Sequence, residues 1–197
     1  MKKGRIIILS GPSGVGKGTV LREVMRRHPE LQFSISATTR PIRPSETDGV
    51  NYYFLSKERF EEMIARDELL EHVSYAGNYY GTPEGPINEA TEKGISVILE
   101  IEVKGALQVM ERRPDALSVF IAPPSYEELE RRLTGRGDTA PEIAAQRLKI
   151  ALWECENASR YQYIIINDEV ERAAQEMEDI LAAERCTYQT NSSEEET

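Results

Sequence analysis

Ile6-Ile7-Ile8-Leu9-Ser10-Gly11-Pro12-Ser13-Gly14-Val15-Gly16-Lys17-Gly18-Thr19 is the stretch that decides the fold. Four consecutive apolar residues fit a strand buried on both faces, and a helical pattern begins at Lys17. A glycine-rich turn between such a strand and such a helix points several backbone N–H groups inward, which makes a cradle for phosphate oxygens. The helix N-terminus adds positive potential there, and the Lys17 ammonium can reach the terminal phosphates of a nucleoside triphosphate. The alternative is an ordinary glycine-rich connection. Two glycines, a lysine and a hydroxyl at these offsets favour phosphate, so the chain is expected to handle a nucleotide.

Working outward, apolar runs suited to parallel strands recur at Ser96–Ile101, Leu117–Ile121 and Tyr163–Ile166. Helical patterns fall between and after them, at Lys17–Arg27, Val103–Arg113, Tyr126–Leu133, Pro141–Tyr161 and from Glu169 to about Cys186. Such alternation predicts an α/β fold with a parallel sheet covered on both faces and ligands at the carboxyl ends of its strands. The core is expected over 1–34, 95–124 and 162–186. Residues 35–94 break the alternation and read as an inserted lobe, with a helix at Lys57–Arg66, strand-like pieces at Tyr52–Leu55 and Leu69–Tyr75, and a turn at Gly77–Pro83. Residues 125–161 read as two helical patterns joined by a connection with glycine hinges around Arg136, and 187–197 read as a disordered acidic tail.

Composition narrows the partners. The 197 residues carry a formal charge of −10, which argues against nucleic acid and anionic membrane surfaces. No apolar run approaches the ~20 residues needed to span a bilayer, and no cleavable leader is visible. Two cysteines, Cys155 and Cys186, are too few for a disulfide framework or a closed zinc site. A cytosolic address is the expectation; the oligomeric state is not legible.

Arginine placement is the second signal. Arg40 and Arg43 lie in Thr39-Arg40-Pro41-Ile42-Arg43-Pro44, where two prolines stiffen the backbone. Arginine grips phosphate bidentately and never loses its charge, so both are candidates for holding a phosphoryl group. Arg136 and Arg147 are candidates on the hinge and the next helix, with solvated surface positions as the alternative. Glu71 interrupts the apolar stretch Leu69–Val73, and its pattern alone reads as the solvent face of an alternating strand. Glu100 and Glu102 close an apolar strand two residues apart, which a strand's period would put on one face near magnesium or substrate, with capping of a neighbouring helix as the alternative. Neither histidine has partners that suggest a triad or a metal site.

With these segments in place the chain closely resembles the guanylate kinases, P-loop nucleoside monophosphate kinases, over about Arg5 to Leu181. The carriers are Gly11–Thr19, Ser34–Arg43, Gly49-Val50-Asn51-Tyr52, Gly77–Pro83, Leu99–Gly105, Phe120–Pro124, Leu133–Gly137 and Ile166-Asn167-Asp168. The resemblance implies a three-layer P-loop fold with a central parallel sheet, a GMP-binding lobe and a small helical lid. It also implies magnesium-dependent transfer of the ATP γ-phosphoryl group to GMP, in a chain with no nucleic-acid or membrane partner.

By that resemblance ATP is held by Gly11, Pro12, Ser13, Gly14, Val15, Gly16, Lys17, Gly18 and Thr19, with Arg136, Asn167 and Asp168. GMP is held by Ser36, Arg40, Arg43, Tyr52, Glu71, Tyr80, Thr82 and Glu102, the Glu71 carboxylate accepting from guanine N1–H and the 2-amino group. Lys17, Arg40, Arg43, Arg136 and Arg147 neutralise the transferring group. Gly18 stands where the strict phosphate-loop pattern has Ser or Thr, which shifts the magnesium contact to Thr19, to Glu100 through water, or to water alone. Glu102 stands where many members have Asp.

Overall fold

The computed structural model describes residues 3–75, 77–134 and 141–191. Elements run in the order β1 (Ile6–Ser10), α1 (Lys17–Arg27), β2 (Gln32–Phe33), β3 (Ala37–Thr38), β4 (Tyr53–Phe54), α2 (Lys57–Ala65), β5 (Leu69–Tyr75) and β6 (Asn78–Pro83). There follow α3 (Glu84–Glu92), β7 (Val97–Glu100), α4 (Val103–Arg112), β8 (Leu117–Ala122), α5 (Tyr126–Thr134), α6 (Pro141–Glu156), a 3₁₀ turn (Ala158–Arg160), β9 (Tyr163–Ile166) and α7 (Val170–Asn191). The chain divides into two compact units, residues 1–10 with 30–118 and residues 11–29 with 119–197.

In the first unit β7 lies between β2 and β1, parallel to both. Every residue of β1 is buried, as its unbroken apolar run requires. A second sheet, ordered β4-β3-β6-β5, is mainly antiparallel, with only β3 and β4 parallel. It packs on α2 through a cluster of Ala37, Phe60, Met63 and Leu69, where Phe60 stacks on Tyr79 at 5.3 Å between ring centres. Helix α2 starts where the Ser56 hydroxyl accepts from the Arg59 N–H (3.2 Å), an N-cap. Helix α4 is laced to the second sheet: Gln108 accepts from the His72 N–H (3.3 Å) and donates to its carbonyl (3.1 Å), and Arg112 pairs with Asp67 just before β5.

In the second unit β8 and β9 pair in parallel from Val119↔Tyr163 to Ala122↔Ile166. Helix α1 packs along α7, where Arg27 and His28 both reach Glu178 at 3.1 Å. Leu129, Leu133 and Ala151 form the apolar contact of α5 with α6.

The predicted strands and helices are present, with local corrections. Gly77–Pro83 is not a turn alone, since Asn78–Pro83 is β6, paired with β5 and β3. Its run of small and polar residues gives no apolar alternation, and cross-strand bonding makes it a strand. The following helix α3 was hidden inside the expected irregular lobe. The pattern extended from Pro141 to Tyr161 ends at Glu156 and tightens into the 3₁₀ turn. Helix α7 continues to Asn191, so 187–191 are helical rather than disordered, while 192–197 lie outside the described residues. Among the described residues no helix is long and apolar enough to cross a membrane.

Candidate functional site

Two clusters gather the predicted site residues. The first, in the second unit, is the turn from Gly11 to Thr19. Gly16 is the N-cap residue of helix α1; its φ of +96° is a left-handed conformation, and a Cβ there would lie 2.7 Å from Asn167 Nδ2. Only glycine satisfies both demands. Asn167 is buried and donates through the same Nδ2 to the Val15 carbonyl (2.8 Å). The turn is therefore fastened from the end of β9.

Lys17 Nζ donates to the carbonyls of Gly11 (2.6 Å) and Pro12 (3.1 Å), so the ammonium is held over the turn whose amides it complements. Thr19 Oγ1 accepts from Arg22 (3.2 Å). Arg147 donates to Ser13 Oγ (3.3 Å) and the buried Glu154 accepts from the Ser13 N–H (3.2 Å), so α6 meets the turn through a cation and an anion seven residues apart. Asp168 is bonded locally instead, to Arg172 and to the Glu169 N–H. Arg136 lies outside the described residues.

Sequence reasoning passed over Glu154 and Arg132. Arg132 donates to the carbonyls of Val15 (3.1 Å) and Asn167 (3.3 Å), tying α5 to the same corner. Helical spacing showed both only as charged positions on amphipathic helices.

The second cluster, in the first unit, surrounds a cavity of about 220 Å³ lined by Ser36, Tyr52, Glu71, Tyr80, Glu100 and Glu102, among others. That volume lies below the roughly 300–1,000 Å³ of drug-sized sites, and suits a single ring system. Glu71 is 5% exposed, which overturns the solvent-face reading of its pattern. The cause is a bulge: between Leu69↔Pro83 and Glu71↔Thr82 the register slips, leaving Leu70 as an extra residue and re-aiming the next side chain inward.

Thr82 donates to Glu71 Oε1 at 2.6 Å. Burial, aided by the Glu102 charge and opposed by the Thr82 bond, pushes the Glu71 carboxyl up to about 7. Glu100 and Glu102 do not share one strand face, because β7 ends at Glu100 and Glu102 is the N-cap residue of α4. Both still reach the cavity wall, so its floor is rich in acceptors.

Beside this cavity the Arg40 guanidinium lies 5.6 Å from the ring centres of Tyr52 and Phe54. Glu46, which the sequence did not single out, accepts from it twice (3.0 and 2.8 Å) and from the Arg43 N–H (2.8 Å). These bonds hold the Glu46 carboxyl below its ordinary range. The Arg43 side chain stands exposed. A ligand suited to this cavity carries hydrogen-bond donors on a flat ring at the acidic end and an anion at the arginine. Among the described residues no three His, Cys, Asp or Glu side chains cluster as a metal site.

The family model described as guanylate kinase matches residues 3–184. A guanylate kinase of Desulfitobacterium hafniense is 48% identical over 183 residues, covering 93% of this chain and 92% of that protein. One from a Nostoc species is 51% identical over 175 residues, covering 89% and 88%. The crystal structure of guanylate kinase from Anaplasma phagocytophilum superposes with a TM-score of 0.75 at 36% identity, over 93% of this chain and 87% of that one.

Proposed function

We propose, from the premise that the chain belongs to the guanylate kinase family and phosphorylates GMP with ATP, a division of the substrates between the two clusters. The cavity around Glu71 takes the guanine, and the turn Gly11–Thr19 takes the triphosphate. The observation that carries this is the buried Glu71 carboxylate, set by Thr82 in a base-sized cavity. Guanine offers N1–H and the 2-amino group as adjacent donors, and an ionised carboxylate offers two acceptors to meet them. Adenine has no such pair on that edge, so AMP would leave Glu71 buried with no ligand donor beyond its Thr82 bond, a penalty that supports discrimination on the order of 10⁴-fold.

Ser36 and Thr82 supply hydroxyls at the same ring and Glu102 a further acceptor at its 2-amino edge. Arg40, Tyr52 and Tyr80 then hold the GMP phosphate, with Arg43 reaching it from its stiffened loop. No side-chain nucleophile is needed, because a phosphate oxygen of GMP attacks the γ-phosphorus and ADP leaves. Lys17 holds the phosphate chain, and Arg147 and Arg136 add positive charge to the oxygens as bond order shifts. Asn167 fastens the turn, while Asp168 lies toward the base of ATP.

Magnesium, when bound, would neutralise phosphate charge. A cation of this kind keeps water and substrate oxygens as most of its ligands, which fits a chain offering the Thr19 hydroxyl and Glu100 rather than a carboxylate cage. A coupled assay of ADP release with GMP, AMP, CMP and UMP tests the assignment. Turnover with GMP is expected to exceed that with AMP by orders of magnitude, and equal turnover would refute it.

A further inference from the structure

Gly105 sits in the first turn of α4, buried and without a left-handed φ, so its backbone gives no reason for glycine. Glycine also weakens a helix relative to alanine. The reason lies across the gap. A Cβ on Gly105 would stand 2.4 Å from Glu71 Oε2, 2.9 Å from Cδ and 3.3 Å from Cγ. Real carbon–oxygen neighbours do not approach so closely, so either the carboxylate or the helix would have to move.

The helix is poorly placed to yield. Val103, Ala106 and Val109 are fully buried on its inner face. Gln108, one turn on, brackets the backbone of His72, the residue after Glu71. Arg112, a turn further, holds Asp67 through two bonds (2.8 and 3.0 Å). The anchors flank Glu71 on the strand side, at Asp67 and His72, and hold α4 beyond Gly105, where its inner face is buried, so the displacement falls on the Glu71 side chain. Moving it breaks the 2.6 Å bond from Thr82 and turns the carboxylate from the cavity.

We infer that Gly105 is a specificity-determining position: the side chain it lacks is the space in which the Glu71 carboxylate is seated. The inference rests on the reading of Glu71 as the group that reads guanine. Gly105 acts through Glu71 and is a positioning residue.

The test compares the wild type with G105A, E71A and the double variant E71A/G105A. It measures kcat/KM for GMP and for AMP, KM for ATP, and the thermal midpoint without ligand. G105A is expected to lower kcat/KM for GMP by about 100-fold or more and to compress the GMP-to-AMP ratio, with KM for ATP changing less than about threefold. It should also lower the midpoint in the wild-type background and raise it in the E71A background, where the clash is gone and alanine's helix preference remains. A G105A chain that fails to fold alone but folds with E71A supports the inference equally, since the clash is then relieved by removing its partner.

An unchanged GMP-to-AMP ratio in G105A, or an equal change in midpoint in both backgrounds, would overturn the inference. If E71A itself leaves the ratio unchanged, the base-reading role falls and the specificity of Gly105 with it. If E71A collapses the ratio and G105A spares it, the Gly105 inference alone fails.

Discussion

Replacing Glu71 by glutamine removes one charge and converts one acceptor into a donor, with almost no change in volume. The carboxylate is 5% exposed, so solvent cannot make good what is lost. On the proposed reading guanine would make two hydrogen bonds with the charged Glu71, worth about 1.5–3 kcal/mol each; glutamine sets a donor against one and leaves the other neutral and weaker. The loss is then about 3–6 kcal/mol, or roughly 10²–10⁴ in kcat/KM for GMP at pH 8.

The size of the effect depends on pH because burial pushes the Glu71 carboxyl up to about 7. Only the ionised form accepts both donors. At pH 6 about a tenth of the free enzyme is ionised, so the gap between wild type and E71Q should narrow about tenfold from its value at pH 8. The GMP phosphate titrates in this range too, but equally for both enzymes, and it cancels in their ratio. The assay is ADP release against GMP concentration at saturating ATP, from pH 5.5 to 8.5. A loss smaller than tenfold at pH 8, an equal loss in kcat/KM for ATP, or a wild-type to E71Q ratio independent of pH would refute the reasoning.

The same carboxyl makes a stability prediction of opposite sign. Its ordinary value is 4.5 and its folded value about 7, so between those pH values the folded chain holds more proton than the unfolded one and stability falls as pH rises, by about 3 kcal/mol in all. Unliganded E71Q escapes that fall and should melt above the wild type at pH 8 but not at pH 4.5, as differential scanning calorimetry would show. Lys17→Met should lower kcat by about 10³-fold or more while leaving the dissociation constant for GMP within about threefold, checked by stopped-flow turnover and titration. Gly16→Ala meets both a left-handed φ and the Asn167 amide, and should weaken ATP binding about tenfold or more in equilibrium titration, with GMP binding unchanged. Phe60→Ala opens a fully buried site against Tyr79 and should cost roughly 3–5 kcal/mol in urea unfolding.

The phosphate turn was legible because its physics is local. A buried strand, a glycine-rich turn and a lysine-led helix lie within fourteen residues, and neighbours in the chain set the backbone proposed to bind phosphate. Long helices and apolar strands were readable for the same reason, since each side chain's period reports its own element. What escaped depended on pairing between distant segments. Asn78–Pro83 became a strand through β5 and β3, not through its composition. Glu71 looked solvent-facing until the slip at Leu70 turned it inward, a displacement no alternation can announce. Glu102 left the strand for the head of α4. Glu46, Glu154 and Arg132 looked like ordinary surface charges until their partners came within hydrogen-bond reach.

By itself, then, the sequence determined the class of fold and the phosphate cradle, and by resemblance the reaction, because these rest on interactions along the chain. The acidity, seating and depth of Glu71 were decided only in three dimensions. A carboxyl pushed up to about 7 needs a wall around it, and its seat needs a threonine eleven residues away and open space beside a helix that begins thirty-two residues later. Desolvation and steric exclusion are properties of space, and the order of residues does not record them.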